Sequence, residues 1–200
     1  MKRSKDWFDR TLEHNEDGNY SQALVAISKY VEEHPGNKNG KLLQALVYRE
    51  LSSFDKSLEL LRDIVPGKED SQKYSLLYFR EMADTYKALG NFSEAIKWLD
   101  KIIQAEPEHS MGYILKGSCL AVSGNYEAAR AEHLKATRME GDPEEAYYNL
   151  ALIARAEMQF EEAREYCEKS LAIDPDDQQV IHCYKDILMA IEMLQQERSQ

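Results

Sequence analysis

Aromatic residues recur along this chain at nearly constant intervals, and this periodicity restricts the fold more than any other feature. These residues, called the aromatic column below, are Tyr20, Phe54, Phe92, Tyr126 and Phe160. Its steps are 34, 38, 34 and 34 residues, in a chain that is only 10% aromatic. A repeat of this length predicts stacked supersecondary units, none of which can bury its apolar face alone.

Three further sets of residues recur at fixed distances in sequence from the residues of the aromatic column. Small residues stand three positions after each aromatic, at Ala23, Ser57, Ala95, Ala129 and Ala163. Two positions before it stand Gly18, Ser52, Gly90, Gly124 and Met158. Fifteen positions after it stand Pro35, Glu69, Pro107, Gly141 and Pro175. Glycine permits the positive φ of a tight turn, a small residue lets two helices approach closely, and proline ends a helix. The columns therefore predict helical hairpins whose second helix begins at the aromatic residue.

Between these marks, apolar residues recur with the period of an amphipathic helix. In the last repeat, Tyr147, Leu150, Ala151 and Ala154 share one helix face. Glycine and proline are scarce, at nine and five residues, which argues against a sheet protein rich in tight turns. The sequence therefore predicts an all-α fold.

Residues 144–177 resemble a tetratricopeptide repeat (TPR) nearly end to end, from Tyr147 and Leu150 through Phe160 and Ala163 to Pro175. The segment 38–71 is the weakest match, because Lys41 replaces an aromatic residue and Ser52 replaces the turn glycine. The resemblance implies a right-handed α-solenoid of five TPR-type helical hairpins in a single domain spanning 1–200. The predicted repeats are about 4–37, 38–71, 76–109, 110–143 and 144–177, with a C-terminal capping helix at about 178–196.

The long step between Phe54 and Phe92 carries four extra residues. Pro66 and Gly67 should end the second hairpin, and Ser71 should cap a helix that starts one turn early. The predicted C-terminal helix has a wide apolar face. One interpretation of this helix is a cap that shields the end of the array. The alternative is a surface for self-association or docking, for which the candidate residues are Ile187, Ile191 and Leu194.

Charge and motifs exclude several classes of function. The net charge is −11 and the basic residues are dispersed among acids, so we expect no nucleic-acid binding. The sequence holds neither a catalytic motif nor a metal-ligand pattern, which predicts no enzyme activity, no metal and no cofactor. It also has no run of 18 apolar residues and no signal peptide, so we expect no membrane span and a cytoplasmic location.

The three cysteines, Cys119, Cys167 and Cys183, are too few and too widely spaced for a disulfide framework. All three lie in apolar helical patterns, which predicts small buried side chains. A redox or metal role is the alternative.

In the family, the first helix of each hairpin lines a concave groove. By resemblance, the binding residues are Phe8, Leu12, Leu42, Leu43, Leu46, Leu77, Arg80, Lys87, Met111, Ile114, Leu115, Tyr148, Asn149 and Arg155. The same positional rule also falls on Asn39, Arg49, Glu81 and Asp84, which do not belong to this binding set. We expect a protein-binding adaptor or scaffold that holds a partner's peptide or helix in an apolar groove. The alternative is a structural subunit of a larger assembly, or a homodimer, joined through end faces or the C-terminal helix.

Overall fold

The computed structural model describes residues 6–141 and 143–198 of the chain. Within these residues the backbone forms eleven α-helices. In chain order they are α1 (Trp7–Glu16), α2 (Tyr20–Glu33), α3 (Lys38–Glu50), α4 (Phe54–Asp63), α5 (Gln72–Ala88), α6 (Phe92–Ala105), α7 (Ser110–Val122), α8 (Tyr126–Ala136), α9 (Glu144–Ala156), α10 (Phe160–Leu171) and α11 (Gln178–Arg198). None of these helices is both long and apolar enough to cross a membrane.

The aromatic column marks helix starts, as predicted: α2, α4, α6, α8 and α10 each begin at one of its five residues. Two residues earlier, the backbone has a positive φ in all five turns. Three of these turns use glycine, but Ser52 has a φ of 57° and Met158 a φ of 60°. A side chain is disfavoured in this left-handed region, so these two turns are strained.

The four extra residues before α5 form an ordered connection. Ser71 caps the helix as predicted, because its hydroxyl accepts a hydrogen bond from the Tyr74 backbone N–H at 3.2 Å. The Asp70 carboxylate accepts from Lys38 Nζ at 2.6 Å and from the Gly67 N–H at 2.8 Å. The Lys38 hydrogen bond also lowers the pKa of Asp70.

The chain divides after Ala105 into two compact units, called unit 1 and unit 2 below. The prediction that residues 1–200 form one domain therefore stays a prediction. The principal core of unit 1 uses large side chains from α3, α4 and α5, including Leu61, Tyr74, Tyr78 and Met82. The corresponding cluster in unit 2 uses mainly small side chains from α9 and α10, and the apolar stripe of α11.

Gly141, which replaces a closing proline of the repeat pattern, lies in a close backbone contact within unit 2. Ser110 N–H donates to the Glu140 carbonyl and Glu140 N–H donates to the Glu108 carbonyl, both at 2.7 Å. Gly141 has a φ of 106°, and a Cβ there would lie 2.7 Å from Ser110 Oγ. Glycine therefore fits both the backbone conformation and the available space.

Candidate functional site

An apolar cavity of about 570 Å³ opens in unit 1, between side chains of α1, α3 and α5. Its lining residues are Phe8, Leu12, Asn39, Leu42, Leu43, Leu46, Arg49, Leu77, Arg80, Glu81 and Asp84. Seven of them belong to the predicted binding set. The cavity therefore unites residues that stand as many as 76 positions apart in the sequence, from Phe8 to Asp84.

The apolar side chains that line the cavity become more exposed to solvent from its base to its margin. Leu42 is buried and also belongs to the core of unit 1. Phe8, Leu43 and Leu46 are half-buried. Leu12 and Leu77 expose 40% and 47% of their surfaces and extend the apolar lining to the solvent. The cavity is thus continuous with the core at its base and open to solvent at its margin.

A buried ion pair forms the polar part of the lining. Arg49 Nε donates to Glu81 Oε1 at 2.8 Å and Arg49 Nη2 donates to Glu81 Oε2 at 3.3 Å, so the guanidinium grips both carboxylate oxygens. Burial raises the pKa of Glu81, and the hydrogen bond from Arg49 opposes this shift. This two-point contact holds the α3 and α5 walls in a fixed register.

Charged side chains also stand at the open edge of the cavity. Asp84 lies 3.7 Å from Arg80 Nε and 3.4 Å from Lys87 Nζ. Arg80 lines the cavity, whereas Lys87 reaches it through its contact with Asp84. Both contacts are long and the cations are more exposed than Asp84, so the cations are held only weakly.

The polar lining residues Asn39, Arg49, Glu81 and Asp84 are absent from the predicted binding set. The positional rule of the family falls on all four of them. The predicted set consists mainly of apolar side chains with a few cations, and it leaves these four out. The pairing of Arg49 with Glu81 depends on the distance between α3 and α5, which no single repeat reveals.

The predicted groove residues of α7 lie in unit 2 and differ in burial. Met111 is exposed and Leu115 is half-buried. Ile114 is only 3% exposed and packs with Ala136 and Ala146 in a core cluster. Ile114 therefore offers little surface to a partner, because α8 and α9 cover it.

The predicted residues of α9 also have contacts within unit 2. Tyr148 packs against the main core cluster. Asn149 Nδ2 donates to Ser118 Oγ at 3.4 Å, and Arg155 donates to Asp186 Oδ2 at 3.1 Å.

The predicted self-association residues of α11 are largely taken up inside unit 2. Ile187 and Ile191 are buried in the cluster that α11 forms with α9 and α10. Leu194 is half-buried. The large apolar side chains that α11 exposes are Met189 and Met193, which lie one helical turn apart. Ile187 and Ile191 therefore do not offer the exposed surface that the prediction of self-association requires.

Comparison with known proteins gives consistent matches along the chain. Two tetratricopeptide-repeat family models match adjoining segments, residues 80–143 and 144–177. A TPR repeat-containing protein of Methanocaldococcus jannaschii is 31% identical over 114 residues, which are 57% of this chain and 34% of that protein. Human tetratricopeptide repeat protein 16 is 25% identical over 161 residues, which are 76% of this chain and 18% of that protein. The chain thus spans at most about a third of either relative.

A solved structure extends the likeness to nearly the whole chain. A thermophilic TPR protein from Thermus thermophilus matches with a TM-score of 0.72 at 19% identity, covering 92% of this chain and 97% of that one. At this identity the match concerns the fold. That fold is typically a non-enzymatic module for protein–protein interaction. From the family models, the curated relatives and the shared fold together, the chain belongs to the tetratricopeptide-repeat family.

Proposed function

We propose that this chain is a protein-binding adaptor whose unit 1 cavity holds an apolar peptide, or the apolar face of a short helix, from a partner protein. One observation carries the proposal. Six apolar side chains on three helices surround a cavity of about 570 Å³, and the outer two remain substantially exposed. When a partner covers apolar surface of this kind, the free energy of the system falls, because apolar groups are removed from water.

The lining specifies the chemistry of the segment that would fit. Leucine and phenylalanine walls favour large aliphatic or aromatic anchors, spaced on one side of a strand or helix. Arg49 and Glu81 already hydrogen-bond to each other, so this pair contributes mainly the shape of the cavity wall. Arg80 is held only weakly by Asp84, so it can turn to a carboxylate on the partner. The best ligand is therefore a short segment with two or three large apolar anchors and an acidic residue beside them.

Peptide display on the immobilised chain, followed by affinity measurement on the selected peptides, tests the proposal. Leu77→Asp places a carboxylate on the exposed cavity margin without opening the core. We expect it to weaken binding at least tenfold, which corresponds to about 1.4 kcal/mol. Leu43→Asp, deeper in the cavity, should weaken it further.

Val25→Asp is the matched control, because Val25 lies in the same unit on α2, is 57% exposed and does not line the cavity. This variant should retain the affinity of the parent chain. If Leu77→Asp and Leu43→Asp bind the selected peptides as tightly as Val25→Asp does, the cavity is not the binding site. Circular dichroism on each variant confirms that helicity is preserved.

A second candidate function is self-association through α11, and we propose it for the exposed pair Met189 and Met193. Light scattering at several concentrations gives the native mass. Self-association predicts a mass that rises above 23.1 kDa with concentration and returns to it in the double variant Met189→Asp/Met193→Asp. A mass of 23.1 kDa at every concentration would remove this candidate.

A further inference from the structure

Two cysteines meet in the core of unit 2. Cys167 in α10 and Cys183 in α11 are both free, both buried and members of the same cluster. Each thiol shifts the pKa of the other, which agrees with their lying in one cluster. Cys119, the third cysteine, is also buried but lies in α7. The chain therefore contains two cysteines within one core cluster and a third cysteine outside it.

The local architecture holds this pair in register. α10 and α11 are consecutive helices joined by residues 172–177, and they pack along the stripe that contains Val180, Cys183 and Ile187. A disulfide needs the two Cα atoms within about 7 Å and the side chains directed at each other. Cys167 and Cys183 lie on the facing sides of this packed helix pair, which is the side-chain direction that such a bond requires.

We propose that Cys167 and Cys183 form a redox-active dithiol, which a low-molecular-weight disulfide oxidises to an intramolecular disulfide that joins α10 to α11. This site lies outside the unit 1 cavity and does not depend on the proposed peptide binding.

The exchange proceeds in two balanced steps. A thiolate at Cys183 attacks one sulfur of the oxidant disulfide, forms a mixed disulfide and expels the first small thiolate. Cys167 then loses its proton and attacks the Cys183 sulfur, which expels the second small thiolate. The two cysteines lose two protons and two electrons in total, and the oxidant is reduced to two thiols.

The surroundings distinguish the two sulfurs. Interaction with Cys167 lowers the pKa of Cys183, and Arg155 acts in the same direction. Interaction with Cys183, together with burial, raises the pKa of Cys167. Cys183 is therefore the better initial nucleophile, and Cys167 is suited to resolve the mixed disulfide.

Burial makes the reaction depend on local opening of α11. This last helix packs against α10 and α9, and its opposite face, with Met189 and Met193, is exposed. A helix with one face exposed opens at lower free energy than an element that is enclosed on all sides. The oxidant should therefore reach the pair during brief openings, and the disulfide formed would then hold α11 closed.

The test incubates the native chain in glutathione buffers of increasing oxidised fraction, quenches with acid, alkylates the remaining thiols and maps the products by mass spectrometry. We expect the loss of two hydrogen atoms, one peptide pair linking Cys167 to Cys183, and an alkylated Cys119. The thermal unfolding midpoint should rise on oxidation and return after reduction, because the bond constrains the unfolded chain.

Cys119→Ser is the control that should oxidise like the parent chain, whereas Cys167→Ser should yield no internal disulfide. Mapping the parent chain keeps the proposal testable even if a variant folds poorly. Alkylation of all three cysteines after incubation in fully oxidised glutathione would overturn it. A disulfide through Cys119, or one between two chains, would overturn it as well.

Discussion

Arg49 in unit 1 and Arg155 in unit 2 occupy the same position of their predicted repeats, and each pairs with an acid further along the chain. Glu81 lies 32 residues after Arg49, and Asp186 lies 31 residues after Arg155. The Glu81 side chain is only 7% exposed, whereas that of Asp186 is 58% exposed. The repeat thus places similar pairs, but burial decides how much each contributes to stability.

The cores of the two units differ in a related way. Unit 1 fills its principal cluster with leucine, tyrosine and methionine, and further leucines extend outward to line the cavity. Unit 2 brings alanine and cysteine side chains of α9 and α10 together under α11. Small side chains let helices approach closely. The same repeat pattern therefore supports an open apolar surface in unit 1 and a core in unit 2 that holds two cysteines in one cluster.

Removing the acid of each ion pair should give the largest difference between the units. Glu81→Ala leaves a largely buried Arg49 without its two-point partner and should destabilise the chain by about 2 to 3 kcal/mol. Asp186→Ala should cost less than about 1 kcal/mol, because that pair is exposed to solvent. Urea unfolding followed by circular dichroism measures both.

The double variant Arg49→Met/Glu81→Leu separates lost pairing from lost packing. It should recover most of the stability lost in Glu81→Ala, because no unpaired charge remains buried. Equal losses in Glu81→Ala and Asp186→Ala would show that burial does not set the contribution of these two ion pairs.

Acid should destabilise unit 2 through His133. This side chain is fully buried, and neither ring nitrogen has a hydrogen-bond partner within the described part of the chain. Burial lowers the pKa of His133 from 6.5 to about 4. The unfolded chain therefore binds the proton more tightly, and stability should fall as the pH drops from about 6.5 towards 4, by about 2 kcal/mol at pH 4.5.

His133→Leu removes this titration while keeping the site filled with an apolar side chain. Unfolding free energies of both chains at pH 7 and pH 4.5 give the contribution of His133 as the difference between the two pH dependences. Identical pH dependences would show that His133 is not held neutral by burial.

Two glycines allow the tightness of packing to be compared between the units. A Cβ on Gly117 would lie 2.6 to 2.8 Å from three atoms of the His133 ring, and one on Gly40 would lie 2.8 Å from Tyr30 Cε1. His133 is enclosed, whereas Tyr30 is half-buried and can shift. Gly117→Ala should therefore cost about 1 to 3 kcal/mol, and Gly40→Ala less.

A second substitution tests whether the ring causes this cost. Gly117→Ala introduced into a His133→Ala background should be far less destabilising than in the parent chain, in the same urea unfolding experiment. A cost that does not change would locate the strain in the helix backbone instead.

The smallest expected effects concern one strained turn in each unit. Ser52→Gly and Met158→Gly should each stabilise the chain by about 0.5 to 1 kcal/mol, because glycine tolerates the positive φ, although it also makes the unfolded chain more flexible. Thermal unfolding should show a small rise in midpoint for both. Gly90→Ala, at a turn with a φ of 74°, is the reverse test and should be destabilising.

Local features of the fold could be predicted from sequence because single residues determine them. The five aromatic residues start helices, and Ser71 caps α5 as its position indicated. Contacts between helices depend on distances that the repeat pattern leaves open. The burial of Ile114, the pairing of Arg49 with Glu81 and the shared core cluster of Cys167 and Cys183 all belong to this second kind.

Binding of a partner segment in the unit 1 cavity is tested most directly by NMR of leucine methyl groups during titration with a peptide selected on this chain. We predict the largest chemical-shift changes at Leu43, Leu46 and Leu77, which line the cavity. The largest changes at Leu115 and Leu152 in unit 2, with the cavity leucines unchanged, would contradict binding in the cavity.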